Sequence, residues 1–188
     1  MLAVKHFCLF KMLRITHFLF IFLFSCCLCL QDEYYWRDYT NGEVPPDAII
    51  GGQNSEGVDI YIGQVYIPNN GLLIGEIFAG IQEVYVPIKG VKKATEGIKI
   101  LCGPQQSLYW EYANNSTIHS LLVNHDAVIG GVQFDSDTSL GTVHIGRLTS
   151  HDKVGRIPSW AENPWMSFYD TQTEWSTPVY EILLYKKK

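Results

Sequence analysis

Asp47-Ala48-Ile49-Ile50-Gly51-Gly52 returns 79 residues later as Asp126-Ala127-Val128-Ile129-Gly130-Gly131. Two further blocks follow in the same order. Ile60-Tyr61-Ile62-Gly63 returns as Val143-His144-Ile145-Gly146, at an offset of 83. Ile74-Gly75-Glu76-Ile77 returns as Val154-Gly155-Arg156-Ile157, at an offset of 80. Three ordered blocks at nearly one spacing mark an internal repeat, and a repeat decides the fold before any single segment does. Looser matches extend it at both ends. Tyr35-Trp36 precedes the first copy and Tyr109-Trp110 the second, while Ile98-Lys99-Ile100-Leu101 closes the first and Tyr180-Glu181-Ile182-Leu183 the second.

The repeated segments read as strands. Val58 to Ile62 and Thr142 to Ile145 alternate with period two. Gln82 to Ile88, Ser107 to Tyr112 and Val179 to Tyr185 are short, β-branched or aromatic, and bounded by Gly, Pro or Asn. Aromatic residues make up 13% of the chain, and Tyr and Trp favour pleated, half-buried surfaces. The best helix candidate is Gly90 to Leu101, which Gly97 and its β-branched residues weaken. The expected class is all-β: two tandem β-repeats related by a pseudo-twofold axis, in a sandwich-like packing. Residues 31–103 form the first repeat and 104–188 the second, both sharing one compact domain. The offset drift marks the main difference. The second copy has four extra residues between its Gly-Gly and its next strand, expected as a surface loop carrying Asp135, Asp137 and Ser139.

Residues 1–30 differ from the rest. Lys5, Lys11 and Arg14 precede an apolar run from Phe18 to Leu30, broken only by Ser25, with no acidic residue before Asp32. This reads as a secretory signal peptide. The run is short for a membrane span, which needs roughly 20 apolar residues. Ser25, Cys27 and Cys29 supply small residues for cleavage, so the mature chain is expected to start between Leu28 and Asp32. Met12 is an alternative start, and an uncleaved anchor is the competing reading. The remainder keeps 11 basic against 19 acidic residues, a net charge of −8. An acidic body without a basic stripe argues against nucleic acid, and against anionic membrane once the signal is removed. Cys102 is the one cysteine outside that segment. It is either buried at a strand end or available to pair two chains as a homodimer. The strand-like sequence around it favours burial.

These blocks resemble the DM-nine (DM9) repeat family, over residues 36 to 185. The family pattern has an Ala-Val-x-Gly-Gly entry and an Asp-containing turn ending in Gly. A Leu-Tyr-Val-Gly-Arg strand, a Pro-Gly-Lys turn and a closing Tyr-Glu-Val-Leu follow. The resemblance implies a tandem β-fold. It also implies, from some members, mannose-type lectin activity in recognition of microbes. In those members the turn Asp and the Pro-Gly-Lys lysine contact sugar. Carried over, the first copy has Asn54 or Glu56 for the Asp and Glu76 for the Lys, a charge reversal. The second has Asp135 or Asp137 for the Asp and Arg156 for the Lys. The strand arginine is Gln64 in the first copy and Arg147 in the second. The second copy thus keeps an acid-plus-base set, and sugar affinity is expected there.

A carboxylate can accept hydrogen bonds from two sugar hydroxyls while a guanidinium donates through a fixed fork. A structural salt bridge between the same groups is the competing reading. Asp135-x-Asp137-x-Ser139 lacks the Gly and Glu that complete a calcium loop. The histidines show no metal spacing, and His144 reads as a half-buried strand residue. No nucleophile elbow, phosphate loop or dinucleotide fingerprint occurs. No cofactor is expected, and a binding protein is favoured over an enzyme. The expected partner is a glycan, or else another extracellular ligand. Asn114-Asn115-Ser116-Thr117 holds two overlapping glycosylation sequons, on Asn114 and on Asn115, one of which is expected to be used.

Overall fold

The computed structural model describes residues 34–136 and 138–186. The segment expected to be a signal, residues 1–30, and Asp137 lie outside them. The described residues belong to one compact unit. Its strands in the first copy are β1 (Tyr35–Asp38), β2 (Ile50–Gln53), β3 (Asp59–Ile67), β4 (Gly71–Ile77), β5 (Val84–Pro87), β6 (Val91–Ala94) and β7 (Ile98–Cys102). Those of the second are β8 (Leu108–Asn114), β9 (Asp126–Ala127), β10 (Ile129–Asp135), β11 (Thr138–Arg147), β12 (Val154–Pro158), β13 (Met166–Asp170), β14 (Thr173–Thr177) and β15 (Val179–Tyr185). One short helix, α1 (Ile118–Leu121), follows β8. The segment 90–101, weighed above as a helix, forms β6 and β7 instead. Gly97 with φ of 63° turns the chain between them, and the β-branched residues pair as strands.

All strand pairing is antiparallel. Thirteen strands join one branched sheet whose main path runs β1-β7-β3-β4-β10-β11-β12-β13-β14, and β5-β6 is a separate hairpin. The recurring blocks occupy matching places in it. Gly63 lies opposite Gly75, and Gly146 opposite Gly155. Trp36 pairs with Leu101, and Trp110 with Leu183. Both Gly-Gly segments carry a bulge at the same point, between Ile50 and Gly52 and between Ile129 and Gly131. The four-residue insertion does not form a loop. It lengthens the β10–β11 hairpin, so that Asp135 pairs with Thr138 beside a tight turn where Ser136 has φ of 55°.

The Gly-Gly pair is explained by what it meets. A Cβ on Gly52 would stand 1.9 Å from the His151 carbonyl oxygen, and one on Gly131 would stand 2.1 Å from that of Leu72. Each copy's Gly-Gly strand therefore runs hard against the other copy's hairpin. Gln53 N–H donates to His151 O at 3.0 Å, and Phe134 N–H to Asn70 O at 2.8 Å. β10 also pairs directly with β4.

The apolar core has three clusters, and the middle one is shared. Ile49, Ile60, Ile62, Ile74 and Leu101 pack with Val128, Ile145, Val154 and Leu183. Fully burying one such side chain contributes about 1.5–3 kcal/mol, so losing either half strips the other of a large part of its core. Residues 104–188 expressed alone are therefore expected to show no cooperative unfolding transition by circular dichroism or calorimetry. A sharp transition from that fragment would refute the shared-core account. Cys102 is fully buried in this framework, and desolvation pushes its thiol up to about 11. That places it away from any surface where another chain could reach it.

Candidate functional site

The two hairpins that cross at Gly52 leave an open cleft of about 460 Å³, lined by Ile50, Gly52, Gln53, Asn54, Asp59, Arg147, Ser150 and His151. The first copy supplies five of these and the second three. Strand alternation and register set the floor. Gln53 lies opposite Asp59 across the β2–β3 hairpin, and Gln53 Nε2 donates to Asp59 Oδ1 at 2.8 Å. The turn between them is shaped by Asn54, whose Oδ1 accepts from Glu56 N–H at 3.0 Å and Val58 N–H at 2.9 Å. This is the local side-chain-to-backbone turn that Asn and Asp favour. It leaves the Asn54 amide nitrogen as a donor. Glu56 is exposed on the same turn and does not line the cleft.

Arg147 forms the opposite wall. It ends β11, and its guanidinium lies over the Trp110 ring at 4.4 Å from the centroid. Arg147 Nε donates to Glu181 Oε2 at 2.6 Å, and Nη1 donates to Gly51 O at 3.2 Å. His151 Nε2 lies 3.2 Å from the same Glu181 oxygen. A carboxylate, a backbone carbonyl and an aromatic face hold the guanidinium flat, leaving Nη2 without a partner among the described residues. Held in this way, an arginine presents its remaining N–H groups without further loss of side-chain freedom. The cleft thus offers a carboxylate, a guanidinium, two carboxamides, a hydroxyl and an imidazole.

The corresponding crossing on the other side differs at one position. There Gln64 Nε2 donates to Gly130 O at 2.6 Å, just as Arg147 Nη1 donates to Gly51 O. Gln64 is buried at 7% exposure and carries no charge. The cationic crossing therefore combines the first copy's turn with the second copy's strand.

The other expected site residues are placed differently. Asp135 does not meet Arg156; it holds Lys89 at 2.7 Å in an exposed pair. Arg156 is 7% exposed and spent on internal partners. Its Nε donates to Pro87 O at 2.9 Å, Nη1 to Gln133 Oε1 at 2.8 Å and Nη2 to Glu174 Oε1 at 3.2 Å. Burial pulls its pKa down, and Glu174 opposes that. Glu174 also accepts from Gly90 N–H at 3.0 Å. This network fastens the β5–β6 hairpin to the second copy. Glu76 does stand where Arg156 does in the other copy: Glu76 pairs with Ile62, and Arg156 with Ile145. It too is buried, accepting from Val154 N–H at 2.8 Å, and desolvation raises its carboxyl to about 7. The seven expected residues thus scatter. Arg147 and Asn54 share the cleft. Glu56, Glu76, Asp135 and Arg156 lie elsewhere, and Asp137 lies outside the described residues.

Gln53, Asp59, Ser150, His151 and Glu181 were not singled out by sequence. Gln53 and Asp59 carry a signal, because they flank the turn symmetrically. His151 carries none, since only the folded crossing brings it to the first copy. Among the described residues, no group of three or more His, Cys, Asp or Glu is placed to hold a metal ion.

Fold and cleft together define an all-β protein with a polar, surface-open groove at the crossing of two related units. The family model of the DM9 repeat matches residues 25–95. This is the module its sequence blocks resemble; the match spans the first copy as far as β6 and not the second. A comparison with curated proteins finds no match.

Proposed function

We propose that the chain is a secreted carbohydrate-binding protein whose sugar site is the cleft between the β2–β3 turn and the β11–β12 turn. The observation that supports this reading most is the guanidinium of Arg147, held flat opposite Asp59, with Asn54, Gln53 and Ser150 around it. A pyranose carries vicinal hydroxyls that each donate and accept. Asp59 accepts from one, while Arg147 and the carboxamides donate to others. The cleft is open and has no surplus of positive charge, since Glu181 offsets Arg147, which suits a neutral hexose better than an anion. The DM9 repeat supports the same reading through the lectins of that family. The signal-like start supports delivery outside the cell. Enzymatic chemistry is not part of this proposal.

The test is a glycan array with the mature chain, followed by titration calorimetry on the best oligosaccharide. Arg147→Gln is the informative variant. Gln already fills the matching position at Gln64 and keeps a donor for Gly51 O, so the fold is expected to hold. Its affinity should fall at least about tenfold, a change of 1.4 kcal/mol. Asp135→Ala, on the far hairpin, should bind as the parent does. The reverse pattern would move the site to the β10–β11 hairpin. A parent that binds no glycan would leave a protein or small-molecule ligand as the occupant.

A further inference from the structure

The two overlapping sequons sit in the tight turn that joins β8 to α1, and the structure treats their asparagines differently. Asn114 Oδ1 accepts from Ser116 N–H at 2.9 Å, from Ser116 Oγ–H at 2.7 Å and from Thr117 N–H at 3.0 Å. Asn114 N–H donates back to Thr117 Oγ1 at 3.2 Å. This carboxamide is the brace of the turn and satisfies N–H groups at the entry to α1. Asn115 is tied only through its backbone, with N–H donating to Pro178 O at 2.9 Å. Its side chain makes no hydrogen bond among the described residues and is half-exposed, with Ser116 and Thr117 exposed beside it. β8 pairs with β15 alone, so its outer edge carries no strand among the described residues and nothing in the sheet stands over the turn.

We propose that Asn115, and not Asn114, carries an N-linked glycan. The donor class is an oligosaccharide on a lipid diphosphate, transferred in the secretory route. Asn115 Nδ2 attacks the anomeric carbon, the carbon–oxygen bond to the diphosphate breaks, Nδ2 loses one proton, and the lipid diphosphate leaves. No electrons are exchanged. A bulky substituent on Asn115 leaves every hydrogen bond of the turn in place. The same substituent on Asn114 Nδ2 would crowd the carboxamide whose Oδ1 accepts all three of those bonds, inside the tight turn it shapes. Two branched glycans on adjacent residues would collide, so one site excludes the other.

This inference rests on the secretory route proposed above, and the experiment separates the two. The full chain is expressed in animal cells and recovered from the medium. It is then treated with N-glycanase in 18O water, which converts a glycan-bearing Asn into labelled Asp. Peptide mass spectrometry is expected to find the label at position 115 in the parent. It should find it there equally in Asn114→Asp, whose carboxylate keeps the turn's acceptor while removing the first sequon. A label at position 114, or secreted protein bare at both positions, overturns the assignment with secretion intact. Unsecreted protein with residues 1–30 still attached and no glycan overturns the route and the assignment together.

Discussion

Gly131→Ala is expected to destabilise the protein by about 3 kcal/mol or more, in the upper range of single substitutions. The added Cβ would stand 2.1 Å from the Leu72 carbonyl oxygen and 2.8 Å from its carbon. Both atoms are backbone, so no side-chain rotation relieves the overlap. Relief requires β10 to draw away from β4, which breaks the pairing of Val132 with Leu72 and of Gln133 with Gly71. The shared apolar cluster lies against this junction, and Gly130 packs on Ile74 within it. Gly57→Ala is the control. Its Cβ meets nothing within 4 Å, and its φ of 77° costs only the left-handed strain of a non-glycine residue, about 1–2 kcal/mol. Urea unfolding of both variants measures the difference. Equal losses would remove the close-approach explanation of the Gly-Gly motif.

The second large effect is on pH dependence. Burial raises the Glu76 carboxyl to about 7, with Val154 N–H and Lys153 opposing the rise and Asp152 and Asp170 adding to it. The folded pKa lies above the unfolded one, so between them the folded state binds more protons. Stability from this residue is fully present below the ordinary glutamate range and is lost as pH rises through about 7. A carboxyl raised this far above its ordinary range forfeits on the order of 3 kcal/mol when it ionises in the folded state. Glu76→Gln keeps an acceptor for Val154 N–H and cannot ionise. The variant should match the parent near pH 4.5 and exceed it by about 2–3 kcal/mol at pH 8. The quantity to measure is the parent-minus-variant difference. A difference independent of pH would show that Glu76 is not strained by ionisation.

The sequence carried the all-β class because it is written in local signals. Period-two alternation and Gly boundaries placed β3, β5, β8 and β15, and three block offsets paired Glu76 with Arg156 and Gln64 with Arg147. The helix weighed over 90–101 shows the limit of such signals: Gly97 divides two short strands, and pairing with β3 and β5 decides the outcome. The site was less legible. Spacing along the sequence matches Asp135 with Arg156 inside the second copy alone. The folded chain mates a turn from one copy with a strand from the other, and spacing along the sequence holds no record of that exchange. Nor does a residue's charge disclose its burial. Glu76 and Arg156 look like a surface pair of opposite sign, and both are interior fastenings.

That exchange has a further consequence. A single unit closing on an identical partner would place the same side chain at both crossings, and any change would strike both at once. Two units joined in one chain escape this. One crossing holds a guanidinium at position 147, and the other holds a neutral carboxamide at 64 that does the same fastening. The tandem arrangement permits a division of labour, in which one crossing is free to specialise while its twin keeps the halves together.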